Sequence, residues 1–157
     1  MVIVQGFISG LIATIIFDLF NQSLNYAYNL NKPKWFLLGR YFIGCTRGKY
    51  FRDSLEEDEV ENNELIWGYG IHYLIGIIYG LFYVFFNLLF FDYPSLLIAY
   101  LFGFSTVLGA WCFLMPFAYN LGFFASKSEQ QIKLLAQGLV GHFVFGTGLF
   151  IGYYIAV

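Results

Sequence analysis

The amino-acid sequence predicts an all-α integral membrane protein, a bundle of four transmembrane helices. Apolar residues make up 59% of its 157 residues and charged residues only 11%, which is not the composition of a soluble protein. The eight Lys and Arg residues lie in only two stretches, residues 32–52 and 127–133. Around these stretches run four apolar segments, each long enough to cross a bilayer as a helix.

The four spans follow from the length that a helix needs to cross the hydrocarbon core, about 20 residues. We predict them at residues 2–25, 65–91, 94–117 and 134–157, in a single transmembrane domain covering residues 1–157. The first is expected to be a retained span rather than a cleaved signal peptide. It has no basic start, and it exceeds the apolar core of a signal peptide, about 7–15 residues.

Two prolines predict breaks in the helical pattern. Asp92-Tyr93-Pro94 is expected to form a tight turn between the second and third spans, because proline suits the first turn of a helix. Pro116 lies near the end of the third span, where it is expected to kink or terminate the helix.

The basic stretches also predict the orientation of the chain. Cytoplasmic loops of membrane proteins carry an excess of Lys and Arg. Loops 26–64 and 118–133 contain all of these residues, so both loops are expected in the cytoplasm and both termini outside it. The expected location is the inner or plasma membrane, with the lipid bilayer as the main partner.

The first loop contains an apolar segment, residues 35–43, that is too short to span a bilayer. It is expected to lie in the membrane interface, with Lys34 and Arg40 reaching toward lipid head groups. In an alternative arrangement, Gly39 and Gly44 let the segment turn inward and place Arg40 as a ligand-binding residue at the cytoplasmic mouth of the bundle. The acidic run that follows, residues 56–64, is expected to be solvated.

Every span contains two small residues four positions apart. In lipid, burial of apolar surface does not drive helix association, so close backbone contact through small residues replaces it. These pairs predict compact packing within the bundle, and they also provide faces for self-association or for a membrane-protein partner. The pairs are Gly6/Gly10, Gly76/Gly80, Ala99/Gly103, Ser105/Gly109 and Gly148/Gly152.

Only three Asp, Glu, His, Lys or Arg residues lie well within the spans: Asp18, His72 and His142. With a rise of 1.5 Å per residue, each lies about 10–12 Å from the cytoplasmic end of its span. The three are therefore expected to form one polar layer facing the interior of the bundle. Because charge at membrane depth is costly, Asp18 is expected to be stabilised by an imidazole or a bound cation.

Four interpretations of this layer remain open. Asp18 could accept hydrogen bonds from the imidazoles and only hold the bundle together. Two imidazoles and a carboxylate also suit a divalent transition metal, with Asp18, His72 and His142 as ligands. The layer could carry a proton or a small solute, since His titrates near neutrality. Finally, the two histidines could be axial ligands of a haem.

Other classes of function are not favoured. The net charge of −2 and the lack of a basic stripe argue against nucleic-acid binding. The chain contains no P-loop, dinucleotide fingerprint, nucleophile elbow or H-E-x-x-H motif, so an enzyme is not indicated. Cys45 and Cys112 lack zinc or redox spacing and are expected to be free thiols.

The chain resembles the bacterial four-span membrane proteins grouped as domain of unknown function 2938. The resemblance runs nearly end to end, although similar proteins generally show Pro-Phe and Met-Gln-Pro where this chain has Ala110-Trp111-Cys112 and Met115-Pro116. It implies the fold and the location, and the family has no agreed activity to transfer. The matching residues are Asp18, Gly39, Arg40, Gly44, Gly48, Phe51, Trp67, His72, Tyr73, Gly76, Gly103, Thr106, Val107, Gly122, Ala125, Ser126, Lys127, His142, Phe145, Gly146 and Gly148.

The sequence therefore supports two hypotheses about function. In the first, the protein handles a small ligand, an ion or a proton through the layer of Asp18, His72 and His142. In the second, it is a structural or assembly subunit whose polar layer only specifies how the helices pack.

Overall fold

The computed structural model describes residues 1–51 and 54–157, and its regular elements there are helical. Four helices are long and apolar enough to cross a membrane, which confirms the predicted fold class. The predicted span boundaries agree with them to within a few residues. The elements are α1 (Val2–Tyr28), α2 (Trp35–Cys45), α3 (Glu64–Phe90), α4 (Leu96–Gly109), a π-helical segment (Ala110–Ala118), a 3-10 turn (Phe123–Ala125) and α5 (Gln131–Ala156).

Large apolar side chains are exposed along all four long helices. Such surfaces would be unstable in water, whereas in a bilayer they face hydrocarbon chains. The helices therefore suit a multi-pass membrane protein. Examples of these exposed residues are Val4, Leu74, Phe85, Leu101 and Ile155.

The described residues divide into two compact units. The first contains Met1–Lys32, Tyr73–Val107 and Leu139–Val157, and the second contains Pro33–His72 and Leu108–Gly138. Each unit has its own internal packing, described separately below.

In the first unit, glycines bring the backbones of α1 and α3 together. A methyl group at Gly6 would lie 2.7 Å from the Cα of Leu81, and one at Gly10 would lie 2.6 Å from the Cα of Ile77. A methyl group at Gly80 would in turn meet the backbone of Gly10. Two of the predicted small-residue pairs therefore face each other across one helix crossing, as close backbone contact requires.

Other small residues join α5 to its neighbours in the same unit. A methyl group at Gly152 would lie 2.7 Å from the Cα of Ser9, whose hydroxyl donates a 2.8 Å hydrogen bond to the carbonyl of Leu149. One at Gly146 would lie 2.8 Å from the carbonyl oxygen of Ala99 on α4. Gly146 and Gly152 therefore permit close packing of α5 inside the unit.

The turn between α3 and α4 is held by the buried side chain of Asn87. Its amide nitrogen donates to the carbonyl of Tyr93 at 2.8 Å, and its amide oxygen accepts the N–H of Ser95, also at 2.8 Å. Tyr83 also donates to the carbonyl of Ser95. The predicted turn at residues 92–94 is therefore present, and a side chain satisfies the backbone groups that the helix ends leave open.

In the second unit, α2 packs tightly against the first turns of α3. A methyl group at Gly68 would lie 2.6 Å from the carbonyl carbon of Trp35, and one at Gly39 would lie 2.7 Å from the backbone nitrogen of Gly68. Seven of the eleven residues of α2 are buried: Trp35, Leu37, Leu38, Gly39, Arg40, Tyr41 and Gly44.

The burial of α2 corrects the prediction of an interfacial segment. Because Gly39 and Gly68 permit backbone contact, most of the residues of α2 are buried against protein, including Arg40, which was expected to reach toward lipid head groups. Lys34 forms an ion pair with Glu56 rather than acting as a membrane anchor alone.

The helix that begins as α4 changes its hydrogen-bond pattern at Ala110 and continues as a π-helical segment to Ala118. Pro116 lies inside this segment. It has no N–H to donate, and its ring crowds the carbonyl four residues earlier, so an α-helical pattern is not available there. The N–H of Tyr119 instead reaches the carbonyl of Leu114 at 3.0 Å. The predicted break near Pro116 is thus confirmed.

Candidate functional site

His142 lies in the first unit, on α5, where Thr106 of α4 orients it. The Nδ1 atom of His142 and the Oγ1 atom of Thr106 are 2.9 Å apart. The ring of Phe17 meets the imidazole edge-on at a centroid distance of 5.8 Å, and the ring of Phe145 lies 6.2 Å away. The contacts with Thr106, Phe17 and Phe145 orient the imidazole.

We assign the tautomer of His142 from the hydrogen bonds of Thr106. The Thr106 hydroxyl, which has a single proton, lies 2.7 Å from the carbonyl of Gly103 and donates to it. With its proton on that bond, the Thr106 oxygen accepts from His142, and we assign the hydrogen to Nδ1. In the neutral imidazole, Nε2 is then the nitrogen with the lone pair, the atom that accepts a proton or binds a ligand.

Asp18 belongs to the same unit as His142 and is half-buried on α1. It follows Phe17, whose ring contacts the imidazole. One turn further along the same helix, Asn21 is buried and donates a 2.9 Å hydrogen bond to the carbonyl of Phe17. That Asp18 and His142 share one polar layer stays a prediction.

His72 belongs to the second unit, where it stacks on Trp35. The two rings are nearly parallel, with centroids 3.8 Å apart and an interplanar angle of 19°. Tyr69, one turn earlier on α3, contacts the same indole at 6.5 Å. Packing on an aromatic ring thus orients His72, and its inclusion in one layer with Asp18 and His142 stays a prediction.

The positions of the His, Cys, Asp and Glu side chains add no support for metal or haem binding. Within residues 1–51 and 54–157, no three His, Cys, Asp or Glu side chains are grouped closely enough to hold a metal ion. A closed structural site needs about four such ligands and an open one about three. We therefore do not assign Asp18, His72 and His142 as metal ligands.

Arg40 forms the centre of a buried ion pair in the second unit. It is 3% exposed, and its guanidinium donates to both carboxylate oxygens of Glu64, from Nε at 2.7 Å and from Nη2 at 2.9 Å. Nη1 donates to the carbonyls of Leu55 and Asp58, at 2.8 and 3.0 Å. A fork-to-fork pair of this kind fixes both direction and distance.

This geometry corrects the prediction that Arg40 reaches toward lipid head groups. Its side chain points into protein because Glu64, at the start of α3, offers a carboxylate that matches the planar guanidinium. The hydrogen bond from Glu64 raises the pKa of Arg40 above its ordinary value, although burial acts in the opposite direction. Arg40 is thus a positioning residue for α2, α3 and residues 55–58, and its donors are largely used by the protein.

The acidic run is only partly solvated. Glu56 pairs with Lys34 and Glu61 pairs with Arg47, both near the surface, whereas the side chain of Glu64 is only 12% exposed. Sequence reasoning did not single out Glu64, Trp35 or the contact of Thr106 with His142. The sequence gives a weak signal for the pairing of Arg40 with Glu64, because an acidic residue stands at the start of a predicted helix. It gives none for the stacking of His72 on Trp35 or for the contact of His142 with Thr106, because these depend on how helices are rotated against each other.

Comparison with known proteins gives a family but no activity. A family model described as "Protein of unknown function (DUF2938)" matches residues 7–156, nearly the whole chain. No curated protein and no solved structure matches this chain.

Proposed function

The chain belongs to the DUF2938 family, whose function is unknown, and from its own geometry we propose that it is a proton-handling membrane protein. In this proposal His142 takes up and releases the proton at Nε2, and Asp18 stabilises the charged imidazole from the same depth. The observation that carries the proposal is the 2.9 Å contact between His142 and Thr106, which holds the imidazole in one tautomer.

Three physical features support this assignment. Because Nδ1 of His142 bonds to Thr106, the basic nitrogen, Nε2, lies on the other side of the ring, where it can accept a proton. The aromatic rings of Phe17 and Phe145 keep the imidazole in one orientation. A carboxylate at the same depth offsets the charge that protonation creates, since charge within a membrane needs a partner.

The surroundings of the protein are part of the proposal. The positive-inside rule supports an inner or plasma membrane protein with both termini outside the cytoplasm, because all Lys and Arg residues lie in loops 26–64 and 118–133. The proton would then exchange with the cytoplasm, since Asp18 and His142 lie nearer the cytoplasmic ends of their spans.

Proton flux into liposomes tests the proposal. The purified protein is reconstituted with a pH-sensitive dye inside, and a potassium gradient with valinomycin drives proton entry. We expect the wild-type protein to exceed protein-free liposomes, and His142→Gln and Asp18→Asn to reduce the flux to the protein-free level. Thr106→Val, which keeps the shape but not the hydroxyl, should reduce flux about tenfold, the usual effect of removing an orienting contact.

Two matched variants control for general damage. Thr147 donates to the carbonyl of Phe143 on its own helix, so Thr147→Val should retain the wild-type flux. Asn21→Ala removes a buried polar group from the level of Asp18 without removing a charge, and it should also retain flux. All variants are checked for folding by size-exclusion chromatography and circular dichroism. A folded His142→Gln variant with unchanged flux would overturn the proposal, as would a wild-type protein indistinguishable from empty liposomes.

The second candidate function is a structural or assembly subunit of a membrane complex. The hydrogen bond between His142 and Thr106 favours it, because a polar contact across two helices also stabilises helix packing in a membrane. In that case His142 serves only to bond Thr106 across two helices. Substitution of His142 by Gln would then lower folding yield or assembly, and wild-type liposomes would carry no proton flux.

A further inference from the structure

Two buried hydrogen-bonding atoms belong to residues at the two ends of the π-helical segment of the second unit, Trp111 near its start and Tyr119 just after its end. The indole nitrogen of Trp111 and the hydroxyl of Tyr119 are both inaccessible to solvent, and no described residue bonds to either. Leaving a buried polar group unsatisfied costs about 1–3 kcal/mol. Such groups are rare in folded proteins, and each calls for an explanation.

Both atoms are donors. An indole N–H donates and does not accept. Burial raises the pKa of the Tyr119 phenol well above its ordinary value, so the hydroxyl keeps its proton at every physiological pH. A partner for these two groups must therefore supply acceptor atoms.

The backbone around these residues is unusual. The π-helical segment covers Ala110–Ala118, and π-helical turns occur frequently at functional sites. Beyond it, Asn120, Phe124 and Ala125 have φ values of 53–54°, in the left-handed region that non-glycine residues rarely occupy. The strain is held in place by tertiary contacts, including the hydrogen bond from the Leu55 N–H to the side chain of Asn120 at 3.2 Å.

The surroundings are aromatic rather than charged. The ring of Phe124 lies 5.7 Å from that of Trp111, and the rings of Phe117 and Phe123 are 6.1 Å apart. The guanidinium of Arg40, in the same unit, is already bonded to Glu64. An apolar molecule with an acceptor oxygen matches the chemistry of the aromatic rings and of the two donors.

We propose that the π-helical segment of the second unit binds an apolar, carbonyl-bearing small molecule, to which Trp111 and Tyr119 donate hydrogen bonds. A quinone and an acylglycerol both present this chemistry in a membrane. The site does not depend on the proton-handling proposal, since none of its residues belongs to the first unit.

The test measures ligand-induced stabilisation of the purified protein in detergent. Three probes are titrated: decylubiquinone, dioleoylglycerol and decylbenzene, the last an apolar molecule without an acceptor oxygen. The midpoint of thermal unfolding is followed by size-exclusion chromatography after heating. Ligands that bind only the folded state raise this midpoint in proportion to their affinity.

We expect decylubiquinone or dioleoylglycerol, but not decylbenzene, to raise the unfolding midpoint in a saturable way. The probe that raises the midpoint shows whether a quinone or an acylglycerol supplies the carbonyl. Tyr119→Phe removes only the hydroxyl, and Trp111→Phe puts a smaller aromatic ring without a donor in place of the indole, so each should weaken the apparent affinity about fivefold to tenfold. Trp67→Phe and Tyr50→Phe change exposed residues of the same types and should leave the affinity unchanged.

Stability without a probe gives an independent readout. If the Tyr119 hydroxyl lacks a partner in the protein, its removal relieves a buried unsatisfied group, so Tyr119→Phe, which keeps the ring, should unfold at or above the wild-type temperature. A fall in the unfolding temperature of Tyr119→Phe would mean that the protein itself satisfies this donor, and it would overturn the proposal. Equal stabilisation by decylbenzene, or none by either carbonyl probe, would overturn it as well.

Discussion

Arg40 illustrates how much a single side chain decides in the second unit. Its guanidinium is 3% exposed and binds Glu64 through both carboxylate oxygens while it also holds the carbonyls of Leu55 and Asp58. A buried ion pair of this kind adds little net stability compared with an apolar pair. Removal of one partner, however, leaves the other charge buried without compensation.

We therefore expect Arg40→Met to lower the free energy of unfolding by about 3–5 kcal/mol. The matched control is Arg47→Met, because Arg47 pairs with Glu61 at the surface and is 57% exposed, so that variant should lose at most about 1 kcal/mol. Denaturant titration in mixed micelles measures both variants. Adding Glu64→Gln to Arg40→Met should recover part of the loss, since it removes the stranded carboxylate.

A similar loss from Arg40→Met and Arg47→Met would contradict this account. It would indicate that Arg40 in the membrane pairs with lipid phosphates, one of the two arrangements that the sequence left open. Arg40→Lys should also be damaging, because an ammonium group does not match a carboxylate at two points.

At the scale of elements, close contact between α2 and α3 depends on glycine. A methyl group at Gly68 would meet the carbonyl of Trp35, whereas one at Gly70, two residues along the same helix, would meet nothing within 4 Å. Alanine substitutions at the two positions therefore separate the effect of the contact between α2 and α3 from the effect of intrinsic helix propensity.

We expect Gly68→Ala to destabilise the protein by about 1–3 kcal/mol, because α2 must move away from α3 to make room. Gly70→Ala should be neutral or stabilising by up to about 1 kcal/mol, since alanine favours a helix over glycine. Thermal unfolding of the two variants, side by side, measures the difference. Equal stabilities would show that α2 does not pack on α3 in the membrane.

The backbone conformation of the π-helical segment and of the residues after it has both a local and a tertiary cause. Pro116 removes the α-helical pattern locally, for the covalent reason that proline has no N–H. The left-handed residues beyond it, such as Asn120, persist because contacts elsewhere in the second unit hold them.

At the scale of the whole molecule, the distribution of charge predicts how the chain crosses the membrane. With four spans and basic loops at residues 26–64 and 118–133, both termini are expected outside the cytoplasm. Fusions of alkaline phosphatase, which is active only outside the cytoplasm, to either terminus should be active. The same enzyme inserted in loop 118–133 should be inactive, and the reverse pattern would contradict the orientation.

The sequence by itself determined the number of spans, their approximate ends and the break at Pro116. These properties are local, because a bilayer requires about 20 apolar residues per helix and satisfies no exposed backbone group. A window of sequence is then enough to recognise a span. The small-residue pairs were recognised in the same way, as a spacing along one helix.

The tertiary structure alone decided which of these residues meet. Gly6 and Gly10 face Gly80 and Leu81, α2 is buried instead of interfacial, and Arg40 pairs with Glu64 rather than with lipid. Each outcome depends on the rotation and register of one helix against another, and a single sequence does not encode that relation in any local pattern. For the same reason, the bond between His142 and Thr106 could not be predicted from the sequence.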